Sequence, residues 1–161
     1  MKRVLLAIAA VAALFLGVRG LVRHLAPDEV KIRRLVAAME AAYNEGDPSG
    51  CVAPLARDWR HAGSEIDRRM LLGALFQTAR DREKETRQLR SRVEVDEEAA
   101  RVAVDGERAT LTLEAVFARL RGGEWSETWR ARIEAELVEG DDGWEIVQSR
   151  HEDLTGTHLG R

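Results

Sequence analysis

Two short stretches of this sequence set a histidine close to a carboxylate. Asp58-Trp59-Arg60-His61 sets a carboxylate three residues before an imidazole. In that pairing an acid orients a base, and the base removes a proton from a bound substrate. On this reading His61 is the base, Asp58 its orienter, and Tyr43, the single tyrosine, a polar contact. The competing reading is a charged loop between two helices, with Trp59 packed as a lid over the core. The second stretch is Arg150-His151-Glu152-Asp153. Imidazole and carboxylate together suit zinc or iron, and His61 would be a further ligand. No compact two-histidine spacing is present, however, so no metal is expected. Strand alternation puts His151 and Asp153 on one face and Arg150 and Glu152 on the other. Pairing of these charges with Arg130 or Arg132 across a sheet is the plainer account.

The remaining candidates are apolar or isolated. Trp125 and Trp129 are placed by alternation on one apolar face, where they could stack a flat ligand, pack a sheet core or form a dimer seam. Tyr43, Trp59, His61, Phe76 and Trp129 form the candidate lining of a pocket. Ser64 reads as a helix cap rather than a nucleophile, since no histidine–acid relay is placed for it by spacing. Cys51, the only cysteine, reads as a small apolar residue and cannot form an intramolecular disulfide. No phosphate-cradling glycine loop, metal-finger spacing or nucleotide fingerprint occurs, and no cofactor is expected.

These residues must be positioned by the elements around them. Pro27-Asp28-Glu29 opens a helix in which Ile32, Leu35, Val36, Met39, Ala42 and Tyr43 recur at spacings of three and four. Asn44-Glu45-Gly46-Asp47-Pro48 stops it. A second, shorter helix is expected over residues 49–59, with Pro54 delaying or kinking it. Ser64, with Asp67 three residues on, is expected to cap a third helix, the most buried of the three through Met70, Leu71, Leu72, Ala74, Leu75 and Phe76.

After Glu83 the period changes to two. Leu89, Ser91, Val93 and Val95 share one face, and Val102 and Val104 lead into an Asp105-Gly106 hairpin. Ala109, Leu111, Leu113, Ala115 and Phe117 line one face of the next strand, which turns at Gly122-Gly123. The following strand carries Trp125, Trp129, Ala131, Ile133, Ala135 and Leu137, and Gly140–Gly143 turns into a last strand opened by Trp144 and Ile146. One face is apolar and the other charged. The fold expected is α+β: N-terminal helices packed on a curved antiparallel sheet.

Ahead of this domain, Lys2-Arg3 precedes an unbroken apolar run of 15 residues from Val4 to Val18, followed by Arg19, Arg23 and His24. The run fits a signal-peptide core. Cleavage sites at Val18-Arg19-Gly20 and His24-Leu25-Ala26 are both poor, while residues 4–22 read as an anchor are about 28 Å long at 1.5 Å per residue. The expectation is a membrane anchor within residues 1–26, an extracytoplasmic (periplasmic) domain over residues 27–155 and a tail over residues 156–161. Secretion after signal cleavage is the alternative. Beyond residue 26 the chain carries all 28 acidic residues against 21 of its 25 basic ones, a net charge of −7. That balance excludes a nucleic-acid-binding surface of the usual basic kind.

The order of elements resembles the nuclear transport factor 2-like, or SnoaL-like, superfamily. Three passages carry the resemblance: Ala41-Ala42-Tyr43-Asn44-Glu45-Gly46-Asp47 at a helix end, the helical segments read over residues 49–60 and 64–82, and the hairpin Gly140-Asp141-Asp142-Gly143-Trp144-Glu145-Ile146-Val147. Together they span residues 28–155. The resemblance implies a cone-shaped, cystatin-like roll with a pocket between helices and sheet, and dimerisation through the sheet face. Isomerases, dehydratases, cyclases, hydrolases and non-catalytic binders all use this fold, so it does not choose among them. Aligned on Asn44-Glu45-Gly46-Asp47, the catalytic tyrosine of the steroid-isomerase-like members falls at Met39 and their general base near Gly63. The function expected is therefore non-catalytic binding of a small apolar ligand, or of an envelope protein or second copy through the sheet face. A small-molecule enzyme and a structural subunit of an envelope assembly are the alternatives.

Overall fold

The computed structural model describes residues 26–156. The apolar segment over residues 4–22 and the last five residues lie outside them. Helix α1 (Asp28–Glu45) begins as its acids dictate: Pro27 precedes it in an extended conformation, and Asp28 and Glu29 occupy the first turn. Asp28 also accepts from the Trp144 indole at 3.2 Å and from Lys31 at 2.8 Å, tying the helix start to the last strand. Ile32 and Val36 are buried, with Leu35, Met39 and Tyr43 packed beside them. The helix ends at Gly46, φ +73°. Only glycine adopts that angle without strain, and an added Cβ would also meet Arg82 at 2.9 Å and Leu89 at 3.1 Å.

The second helix departs from expectation. Helix α2 covers only Pro48–Val52, with the Asp47 carboxylate accepting from the Ser49 amide at 3.0 Å. Pro54 cannot continue it, and the chain extends into strand β1 (Leu55–His61). Asp58-Trp59-Arg60-His61 therefore lies on a strand, not in a loop between helices. Asp67, not Ser64, caps α3 (Arg68–Arg80), accepting from the Met70 amide at 2.8 Å. Nor is α3 the most buried helix. None of its residues is fully buried, because it lies at the edge of the domain with its main contacts on α2 and β1. Met70 and Phe76 are 56% and 46% exposed.

The other strands are β2 (Ser91–Val95), β3 (Arg101–Asp105), β4 (Arg108–Arg121), β5 (Glu124–Gly140) and β6 (Gly143–Gly156). They pair in the order β1-β6-β5-β4-β2, and β3 joins β4 beside β2. All pairs are antiparallel except β1 with β6, so the sheet is mixed rather than antiparallel throughout. It is curved and unclosed. Its inner face, carrying Leu111, Leu113, Ala115, Ala135, Leu137 and Ile146, packs on α1 to make the core. β2 is an edge strand, and the Val93 N–H and C=O are both taken by the Asn44 side chain, at 2.9 and 2.8 Å. This locks the end of α1 to the sheet.

Bulges bend the long strands. Phe117 pairs with Trp129 but Ala118 with Glu127, so Thr128 is an extra residue. That extra residue reverses the alternation. Trp129 shares the inner face with Phe117, whereas Trp125, opposite Leu120, lies on the outer one under the Arg92 guanidinium at 4.6 Å. The two tryptophans are thus on opposite faces, against the expectation of a shared one. The outer face carries an ion-pair lattice: Arg132 contacts Glu114 and Glu152, and Arg150 contacts Glu134. Among the described residues no helix is long and apolar enough to cross a membrane.

Candidate functional site

Where β1, β5 and β6 meet on the inner face, residues distant in sequence converge. The parallel pairing sets His61 beside Ser149. His151 follows two residues along β6 on the same face, opposite Ile133, and Asp153 lies opposite Ala131. The result is a His61 Nε2 to His151 Nδ1 contact of 2.8 Å, across 90 residues of sequence. Beyond His151, its Nε2 lies 3.6 Å from Asp153 Oδ1. Behind His61, its Nδ1 lies 3.1 Å from Ser64 Oγ. The Trp129 indole donates to Asp153 Oδ1 at 2.7 Å.

Aromatic rings continue the line. Trp129 meets the His151 ring edge-on at 5.4 Å and stacks on Phe117 at 4.4 Å between centroids. Phe117 in turn meets Tyr43 edge-to-face at 5.9 Å. Tyr43, Phe117, Trp129, His151 and His61 are all half-buried, forming a continuous polar-ended aromatic strip on the inner face. Burial pushes the Tyr43 phenol above its ordinary pKa, with the Ser91 side chain acting in the opposite direction. Beside Tyr43, at the end of α1, is a shallow, open depression lined by Cys51, Leu75 and Leu89. The Cys51 thiol, buried there, is pushed up to about 11, chiefly by desolvation and then by the nearby Asp47 charge.

The structure thus brings together Tyr43, His61 and Trp129 from among the residues singled out in the sequence. Trp59 is in the core at 3% exposure, its indole N–H unpartnered among the described residues. Phe76 stands on the exposed side of α3, away from the strip. Asp58 is exposed on β1, three residues from His61, and no hydrogen bond joins them among the described residues. Strand geometry turns residues three apart to opposite faces, so His151 and Ser64 occupy the place expected of Asp58. The sequence reading weighed Ser64, His151 and Asp153 and set them aside as site residues, and it placed Phe117 only in the sheet. For His151 and Asp153 the signal was present, because alternation already put them on one face. Among the described residues no group of three or more His, Cys, Asp or Glu could hold a metal ion. Asp153 lies at the far nitrogen of His151, not at the point where the two imidazoles converge.

An α+β roll with a short helical layer on a curved six-stranded sheet defines a cystatin-like fold, and solved structures share it. One is a nuclear transport factor 2-like protein with a cystatin-like fold from Novosphingobium aromaticivorans, 20% identical over 83% of this chain and 86% of that one, TM-score 0.67. A nuclear transport factor 2-like protein of unknown function from Pseudomonas putida is 14% identical over 83% and 91% of the two chains, TM-score 0.61. A third, from Novosphingobium aromaticivorans and provisionally described as an aromatic ring hydroxylase, is 13% identical over 81% and 92%, TM-score 0.63. The chain therefore has the nuclear transport factor 2-like fold. No family model matches it, and no curated protein does.

Proposed function

We propose that this domain binds a small, flat, largely apolar molecule at the inner-face strip, with the histidine pair as its polar end. The observation carrying this reading is the unbroken line of ring contacts from Tyr43 through Phe117 and Trp129 to His151. Half-buried aromatic faces offer stacking area, and the imidazoles and Asp153 offer hydrogen bonds that orient a carbonyl or hydroxyl group. The neighbour provisionally described as an aromatic ring hydroxylase makes a flat aromatic ligand a reasonable first class to try. Native mass spectrometry and tryptophan fluorescence of the purified protein, screened against flat aromatic alcohols and ketones, test it. Saturable quenching that Phe117→Ala weakens about tenfold or more, with the fold retained, is the expected result. Quenching unchanged in Phe117→Ala and Trp129→Leu alike overturns the reading. The apolar stretch over residues 4–22 would hold this site beside a membrane on its extracytoplasmic side. Fractionation of a C-terminally tagged chain tests that separately, and a soluble product about 25 residues shorter would refute it.

A further inference from the structure

Helix α3 turns a mixed apolar and cationic side to solvent. Three large apolar side chains are exposed among the described residues, Val30, Met70 and Phe76, and α3 carries two of them. Leu71, Leu72 and Leu75 turn inward and pack on the core. At 3.6 residues per turn, Arg69, Met70, Gly73, Ala74, Phe76 and Arg80 share the outward side, and all six are exposed. A Cβ at Gly73 would meet nothing within 4 Å, so this side is open along its middle. The helix holds three arginines and no acid. Arg68 is turned in, donating to the Val52 carbonyl at 3.3 Å. The guanidinium groups of Arg69 and Arg80 make no hydrogen bond or ion pair among the described residues. The carboxylates at the two helix ends are engaged elsewhere: Asp67 accepts from the Met70 amide, and Asp81 pairs with Arg119.

We propose that this side of α3 docks on an anionic lipid surface, that of the bilayer into which residues 4–22 would run, an inference that rests on reading that segment as an anchor. Phe76 and Met70 enter the boundary between headgroups and acyl chains, while Arg69 and Arg80, near the two ends of the helix, reach lipid phosphates. Charge selects this side of the domain. Beyond residue 26 the chain carries a net charge of −7. An anionic surface therefore repels the domain in most orientations and admits it where cations stand without acids between them. The same charges make a second copy the poorer occupant. Two such sides face to face would oppose four guanidinium groups with no carboxylate from either outward side to pair them. Reach holds the domain to the membrane. Residues 23–27, which join the apolar segment to α1, extend at most about 18 Å.

Spin labelling of the full chain in lipid vesicles tests the inference. Gly73→Cys sets a nitroxide in the open middle of the docking side, and Thr110→Cys sets a control on the exposed outer face of the sheet. Cys51 is buried and escapes the label in the folded chain. Collision with oxygen, compared with collision with a water-soluble nickel chelate, reads the depth of each label. In vesicles of phosphatidylcholine mixed with phosphatidylglycerol, the label at residue 73 is expected below the phosphates and the label at residue 110 in water. In phosphatidylcholine alone, or in high salt, the docked fraction at residue 73 should fall. Arg69→Gln with Arg80→Gln should lower the ratio of docked to free label by about 25-fold, about fivefold for each cation. All these positions are exposed, and circular dichroism checks that each variant is folded. A label at residue 73 that stays in water in the mixed vesicles overturns the inference. So does docking unchanged in the arginine variant, or dipolar broadening at residue 73 without lipid exposure, which would give this side to a second copy. Flotation with the vesicles separates the two readings: a chain that floats while residue 73 stays in water loses the docking and keeps the anchor, and one that does not float loses both.

Discussion

Replacing Asn44 with alanine tests how the site is held in place. The Asn44 amide accepts from the Val93 N–H at 2.9 Å and donates to the Val93 carbonyl at 2.8 Å. Val93 is 6% exposed, so water does not readily take over both bonds. Two hydrogen bonds at about 0.5–1.5 kcal/mol each give a loss of about 1–3 kcal/mol. For a domain of this size that corresponds to a fall in Tm of roughly 4–12 °C. Asn44→Asp is the sharper variant. It keeps an acceptor for the Val93 amide but points a carboxylate oxygen at the Val93 carbonyl. Near neutral pH it should cost at least as much as alanine, and it should recover as the carboxyl is protonated in acid. Thermal melts followed by circular dichroism read the stability, and hydrogen exchange at the Val93 amide reads the bond itself. Tyr43 is the preceding residue, so loosening this contact should also weaken ligand quenching at the aromatic strip. An Asn44→Ala protein that melts within 1 °C of the parent with Val93 still protected would refute the argument.

Four further outcomes follow from the packing and electrostatics. Cys51, with its thiol pushed up to about 11 and only 6% of its surface exposed, should resist iodoacetamide at pH 8 in the native state and react quickly once unfolded. Because its folded pKa lies above the ordinary thiol value of about 9, its contribution to stability is fully present below pH 9 and lost as pH rises through 11. The raised Tyr43 phenol acts with the same sign, so urea midpoints should fall on the alkaline side. Gly46→Ala forces a Cβ into a left-handed conformation against Arg82 and Leu89, and should lower stability by about 1–2 kcal/mol or more in urea titrations. Arg132→Ala, in contrast, removes two exposed contacts with Glu114 and Glu152 and should change stability by less than about 1 kcal/mol.

Helix α1 and the meander from β2 to β6 were legible because their information is local. A helix that buries one stripe shows it at spacings of three and four, as Ile32 and Val36 do with their neighbours. A sheet solvated on one side shows it at period two, as Ala109, Leu111, Leu113 and Ala115 do. The Asp105-Gly106 and Gly122-Gly123 turns needed only their own residues, and glycine at positive φ supplies the reason. The same logic put His151 and Asp153 on one face before any partner was known.

What local pattern did not contain was decided by contacts across the chain. Leu55–His61 buries Leu55, Ala56 and Trp59 without regular alternation, and its partner strand begins 82 residues after its own last residue. Its extended form therefore comes from pairing with β6, against the helix expected over residues 49–59. A single extra residue at Thr128 sent Trp125 and Trp129 to opposite faces, since a period of two has no tolerance for an insertion. The site itself belongs to this second class. Composition and spacing announced His61, His151 and Asp153 as chemically capable. Only the parallel edge pairing of β1 with β6, a long-range contact closed by folding, set one imidazole 2.8 Å from the other.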